Sequence, residues 1–182
     1  MSQDSFGTKN IRPEAEFNTE DIIEIRRDTI ASLKAKAAVS PRGRYRICLH
    51  HSSDHPVNEM VIIGNRSTYV RPHRHPHGRD ESYYLIEGKM VVFFFDDTGH
   101  VTRMIKMGEY GSNLTVLYRL CSSLWHLPVA LTEQVVYHEV LTGPFKKEET
   151  VEYAPWSPDE TEKDSVVEYM KELLKIYEIS QK

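Results

Sequence analysis

RPHRHPHGRDESYYLIEG, residues 71–88, decides the reading of this chain. His73, His75 and His77 alternate with other residues over five positions. Side chains alternate between the two faces of a β-strand, so on a strand all three imidazoles point the same way. Glu81 follows, then an apolar run, then Gly88 at a turn. Imidazoles and a carboxylate on one face are the donors of a mixed nitrogen and oxygen metal site. Arg71, Arg74 and Arg79 interleave with the histidines, as they would on a solvated basic strand edge. That competing reading explains neither the turn residues nor the strand that follows.

Outward from this stretch, the pattern is of strands. Candidate segments are 44–50, 59–63, 67–75, 81–87, 90–95, 101–106, 114–119 and 134–141, with hairpin turns at Glu87-Gly88-Lys89 and Asp96-Asp97-Thr98-Gly99. Short strands at nearly regular spacing with no helix between them indicate a sandwich or barrel of jelly-roll type. The run Phe93-Phe94-Phe95 reads as core on both faces of a buried strand. A helix is expected on each side of the barrel. Ile23, Ile30, Leu33 and Ala37 recur at helical spacing over 19–38, behind a cap at Asn18-Thr19-Glu20-Asp21, and Ser40-Pro41-Arg42-Gly43 ends the helix. Ser157-Pro158-Asp159-Glu160 combines an N-cap, a first-turn proline and a capping-box glutamate, and Val166, Met170, Leu173 and Tyr177 form the apolar face of a helix over 158–180. Residues 1–17 lack periodicity and read as a flexible arm, which leaves 18–182 as a single domain with its barrel over 44–145.

Composition narrows the function classes. The chain has 182 residues, a net charge of -4 and 40% hydrophobic residues, the profile of a globular protein and not of a nucleic-acid binder. The longest apolar run, VVFFF at 91–95, is strand-sized, and no membrane span or secretory signal is visible, so a cytoplasmic protein is expected. Without an export signal, Cys48 and Cys121 are expected as two buried thiols. There is no phosphate-cradling glycine loop and no nucleophile-elbow pattern, which argues against nucleotide hydrolysis and serine-hydrolase chemistry.

His73-x-His75, Glu81 and Gly88, with Pro72 before the pair and Pro76 after it, resemble the first motif of the cupin superfamily. More narrowly, the chain resembles the WbuC-type cupin-fold metalloproteins. The shared features are Ser40-Pro41-Arg42, Cys48-Leu49-His50, RPHRHP, Asp80-Glu81-Ser82, Trp125-His126, His138-Glu139-Val140, Thr142-Gly143-Pro144-Phe145 and Ala154-Pro155-Trp156, over most of residues 20–160. The resemblance implies a mainly β fold, a cupin-type double-stranded β-helix barrel with one helix before and one after, holding one divalent metal in its mouth. It also implies a homodimer and an association with surface-polysaccharide and carbohydrate metabolism. His73, His75, Glu81 and His126 are the implied ligands. Five residues separate His75 from Glu81, one more than the usual motif, and His77 is the alternative ligand in a shifted His75-x-His77 register. His126 lacks the Pro-x-Gly that often precedes the fourth cupin ligand.

Three imidazoles and a carboxylate suit Fe, Mn, Co, Ni or Zn without choosing among them. Four protein ligands leave positions on such an ion for water or substrate. Arg71, two residues before His73, is expected on the same face as a clamp for a carboxylate or phosphate, in competition with a structural ion pair. Tyr83 shares the face of Glu81, and His138 lies on a late strand that can face inward; both are candidate substrate contacts. Two functions follow. One is a metalloenzyme of isomerase, epimerase or dioxygenase type acting on a sugar or acidic sugar. The other is a metal-dependent binding module for a carbohydrate or small acid, kept open because every conspicuous histidine and glutamate of the motif is assigned to the metal.

Overall fold

Strands dominate the computed structural model, which describes residues 8–12, 14–76 and 78–181. In chain order they are β1 (Thr8–Arg12), β2 (Ala15–Asn18), β3 (Arg44–Cys48), β4 (Val57–Asn65), β5 (His73–Arg74), β6 (Glu81–Glu87), β7 (Lys89–Phe95), β8 (Val101–Gly108), β9 (Leu117–Leu120), β10 (Trp125–Ala130), β11 (Gln134–Thr142) and β12 (Glu152–Tyr153). Three helices, α1 (Arg27–Val39), α2 (Lys147–Thr150) and α3 (Lys163–Ile179), complete the order. One sheet runs β1-β2-β3-β4-β11-β6-β9 and the other β12-β5-β10-β7-β8. All pairings within them are antiparallel except β2 with β3. The chain thus forms the double-sheeted jelly-roll barrel expected of it.

The period of two sorts side chains into three cores. Met60, Ile62, Tyr83 and Leu85 of the first sheet meet Met90, Val92, Phe94 and Ala130 of the second inside the barrel. The alternate residues face outward and are covered by helices. Tyr45, Ile47, Val61, Ile63 and Val136 pack under Leu33 and Ala37 of α1. Val91, Phe93, Phe95, Trp125, Leu127 and Val129 pack under Leu173 of α3. This is why VVFFF carries no polar alternation: both faces of β7 are dry. No helix among the described residues is long and apolar enough to cross a membrane.

Several expected boundaries move, each for a local reason. The arm expected over 1–17 instead supplies β1 and β2, and all four residues of β2 are buried. Phe17 points into the barrel, while Glu16 points outward and is satisfied by the Tyr45 hydroxyl at 2.8 Å and by Lys36. The helix expected from residue 19 begins at Arg27. Asn18 does not cap it: its Oδ1 accepts from Glu20 N–H in a tight turn, and its Nδ2 donates to Leu49 O. The helix expected from 158 begins at Lys163. Ser157 and Asp159 are held by other partners, described below, and the Asp159 carboxylate closes a turn onto Thr161. The strand expected over 67–75 contracts to β5. No strand is expected over 125–130, yet β10 forms there despite Pro128; β5 pairs with β10 only at His73–His126, so one edge of β10 beyond His126 has no ladder to break. Cys48 is buried but Cys121, just past β9, is exposed, so only one of the two expected buried thiols is found.

Gly88 makes the hairpin between β6 and β7 at φ +89°, and a Cβ there would sit 2.6 Å from Thr132 Oγ1 and 2.7 Å from Gln134 O. Gly88→Ala therefore combines left-handed strain with a backbone clash. A loss of about 1–3 kcal/mol is expected, read as a lower urea midpoint at unchanged slope.

Candidate metal centre

The two sheets close on each other at one end of the barrel, and four side chains meet there. His73 lies on β5, His75 just beyond it, Glu81 opens β6, and His126 is the second residue of β10. One donor atom from each lies within 4.8 Å of all the others, and all four residues are buried. The His73 ring stands 4.4 Å from that of His126 and 5.3 Å from that of His75, centroid to centroid. His75 Nε2 is 3.2 Å from Glu81 Oε1, and His126 Nε2 is 3.1 Å from Glu81 Oε2.

Each imidazole is oriented from behind by main chain. Nδ1 of His73 donates to Arg71 O at 3.0 Å, Nδ1 of His75 to Thr150 O at 2.7 Å, and Nδ1 of His126 to Leu124 O at 2.9 Å. A carbonyl only accepts, so the proton sits on Nδ1 in all three rings and Nε2 is left with its lone pair. Three Nε2 lone pairs then face a carboxylate. His126 Nε2 and Glu81 Oε2 are both buried without a hydrogen-bond partner although they are 3.1 Å apart. Acceptors crowded together away from water need a cation between them, and backbone-anchored imidazoles are the usual support of a metal ligand. The donor set therefore fits a divalent ion held by His73, His75, Glu81 and His126.

The electrostatics follow from the same crowding. Burial, reinforced by His126 and His75, drives the His73 imidazole well below its ordinary pKa. Burial also acts downward on His75, but the facing Glu81 carboxylate outweighs it and leaves His75 above the usual value. For Glu81, burial pushes upward, and the imidazoles of His126 and His75 pull it below the normal carboxylate range.

His73 and His75 form part of the wall of a cavity of about 960 Å³ that runs through the barrel interior. The other expected ligand contacts fall differently. Tyr83 does line this cavity, though it is buried and wedged between Tyr118 and Tyr137, with ring centroids 5.3 and 5.2 Å away. His138 does not face inward: it pairs with Val61, whose side chain lies in the core under α1. Strand alternation that turns Tyr137 and Glu139 inward turns His138 out. Arg71 also departs from its expected part as an anion clamp. It borders the cavity, but its Nε donates to Ser157 Oγ at 3.2 Å, Nη1 to Asp159 Oδ2 at 2.9 Å and Nη2 to Ala154 O at 3.2 Å, which is the structural ion pair that competed with the clamp. The alternative ligand His77 lies outside the described residues.

Glu139 is the functional candidate that sequence reasoning passed over. It lines the cavity two residues beyond Tyr137, and its carboxylate makes no hydrogen bond or ion pair among the described residues. Burial, followed by the negative charge of Glu81, pushes its carboxyl up to about 7. The signal was present in the sequence: Val135, Tyr137 and Leu141 define an apolar period-two face, and Glu139 interrupts it.

A family model described as a domain of unknown function (DUF6016) matches residues 25–107. No curated protein sequence matches the chain. Among solved structures, protein SO0799 from Shewanella oneidensis aligns with a TM-score of 0.50 at 11% identity over 62% of this chain and 74% of its own, a likeness of fold alone. An oxalate oxidase in complex with the substrate analogue glycolate aligns with a TM-score of 0.49 at 11% identity, over 66% of this chain and 59% of its own. The capsular polysaccharide assembling protein CapF from Staphylococcus aureus aligns with a TM-score of 0.46 at 16% identity, over 59% of this chain and 28% of its own. This chain thus spans less than two thirds of the length of the last two.

A carboxyl held near neutrality has a direct signature. Infrared titration of the metal-free protein is expected to show one carboxylic-acid C=O band lost on raising the pH through about 7, and Glu139→Gln is expected to remove that band. A Glu139 that titrates with the ordinary carboxylates near pH 4 contradicts this assignment.

Proposed function

We propose that this chain is a metal-binding cupin that acts on a small sugar or sugar-acid ligand in its barrel cavity, as an enzyme of isomerase or epimerase type. The observation that carries the metal half is the set of three imidazoles with Nδ1 tied to main-chain carbonyls and Nε2 converging on Glu81. The cavity beside it, about 960 Å³, falls at the upper end of the range for small-molecule sites. A divalent ion at these four ligands supplies a Lewis acid for a carbonyl or hydroxyl oxygen of the ligand.

Glu139 supports turnover over simple binding. A general base works best with a pKa near the operating pH, and Glu139 belongs to no ion pair and no metal ligand set. From the inner face of β11 it can take a proton from a ligand carbon beside a carbonyl and return it to the same or a neighbouring carbon. Proton transfer of this kind is what isomerisation and epimerisation require, and it favours them over oxygen chemistry. The chain's own residues then divide the work: Tyr83 and Tyr137 wall the cavity, and Glu139 moves the proton.

Two measurements test this reading. Metal analysis of purified protein is expected to find one divalent ion per chain, lost in His75→Ala under either histidine register. Retention in His77→Ala with loss in His73→Ala supports the ligand set used here, and the reverse pattern assigns His77 in place of His73. For turnover, metal-loaded protein is incubated in D2O with gluconate, glucuronate and glucose 6-phosphate and followed by proton NMR. Exchange of a C–H proton is expected with wild type and not with metal-replete Glu139→Gln; wild type that binds one of these probes without exchange is a binding module.

A further inference from the structure

Two arginines inside the barrel have guanidiniums with no hydrogen-bond or ion-pair partner among the described residues. Arg44 and Arg46 sit two apart on β3, about 7 Å along the strand, on the face that also carries Cys48 into the barrel interior. Both line the cavity. Neither guanidinium makes a hydrogen bond or ion pair among the described residues, and Arg46 Nε is buried with nothing to donate to. The cavity's other guanidiniums are neutralised: Arg42 by Glu14 and Glu160, Arg71 by Asp159. Burial depresses the pKa of Arg44, a sign of how poorly its charge is solvated there. An arginine stays charged all the same, and no carboxylate among the described residues lies within ion-pair distance of either guanidinium, so Glu160 offsets the desolvation of Arg44 only from a distance.

Sheet register orders these groups along the barrel. Leu141 pairs with Glu81, Glu139 with Tyr83 and Met60, Tyr137 with Ile62, and Ile62 with Arg46. The levels therefore run Glu81, Glu139, Arg46, Arg44, each two residues, or about 7 Å of strand, from the next. Opposite Arg44 stands Gly64, so β4 places no side chain of its own beside the guanidinium at that level; a Cβ there would be in ordinary contact with Val135 Cγ2 at 3.5 Å and Thr68 Oγ1 at 4.0 Å. We propose that Arg44 and Arg46 hold the anionic group, a carboxylate or phosphate, of a ligand whose other end reaches the metal ligands. A molecule stretched between those two ends passes the level of Glu139. This rests on the proposed function for the occupant of the cavity, and it transfers to Arg44 and Arg46 the clamp that Arg71 does not provide.

The test uses full-length, metal-loaded protein with inorganic phosphate, D-gluconate and D-glucose as probes, read by calorimetry and by thermal shift. Wild type is expected to bind phosphate and gluconate at least tenfold more tightly than glucose. Arg44→Gln/Arg46→Gln is expected to lose that preference while keeping its metal. With no probe present, the same double variant is expected to melt no lower than wild type, because two partly buried charges without an ion-pair partner are gone. Absence of anion binding to wild type overturns the proposal, as does a variant that retains the preference. Should the double variant fail to fold, Arg44→Lys/Arg46→Lys replaces it: weakened anion binding supports the guanidinium fork, and undiminished binding overturns it. Metal content separates the two readings, since a metal-free protein with arginine-dependent anion binding sinks the metal reading and leaves this one standing.

Discussion

Three hydrogen bonds from imidazole Nδ1 to main-chain carbonyls are the constraint around which the molecule is arranged. They fix each tautomer, aim three Nε2 lone pairs at one point and require three separate segments to arrive there in register. Arg71 O precedes β5, Leu124 O precedes β10, and Thr150 O ends α2. The point of convergence lies where the two sheets close, with Glu81 contributed by one sheet and His73 and His126 by the other. A shift of either sheet by one residue would carry a ligand to the outside of the barrel.

The interior is polar at a cost that the rest of the fold has to offset. Arg44, Arg46, Glu139 and the ligand cluster all lie on inner faces that would otherwise be apolar. What compensates is burial on three levels: the barrel core around Leu85, Val92 and Phe94, the layer under α1 and the layer under α3. At about 25 cal/mol per Å² of apolar surface, two helix-covered outer faces provide the surplus that allows a hollow, charged centre. The helices are thus part of what makes the site affordable, although neither α1 nor α3 touches it.

Much of the site was legible in the sequence because a strand's pleat needs no long-range information. His73-x-His75 and Glu81 follow from spacing, and His126 from the family resemblance. What escaped was each feature set by a distant partner. Arg71 reads as an inward clamp until Ser157 and Asp159, more than eighty residues on, are seen to hold it. His138 and Glu139 are adjacent, and alternation states only that they face opposite ways; the pairing of β11 with β4 and β6 decides which one enters the barrel. Strand β10 was hidden by Pro128, and β2 by its shortness. The helix starts were misplaced because Asn18, Ser157 and Asp159, cap-like by type, serve tertiary contacts instead.

The hydrogen bond from His75 to Thr150 O has a consequence for how the protein is made. Synthesis runs from the N-terminus, and His73, His75, Glu81 and His126 all leave the ribosome before Thr150 does. Until then His75 has no carbonyl to select its tautomer, and the segment from Ala154 to Asp159 has not yet engaged Arg71 behind His73. The nascent chain carries all four donors before it has the Thr150 carbonyl, one of the three that orient the imidazoles. The four donors accordingly reach their final geometry late in the life of the polypeptide, timed by the arrival of a segment that supplies none of them.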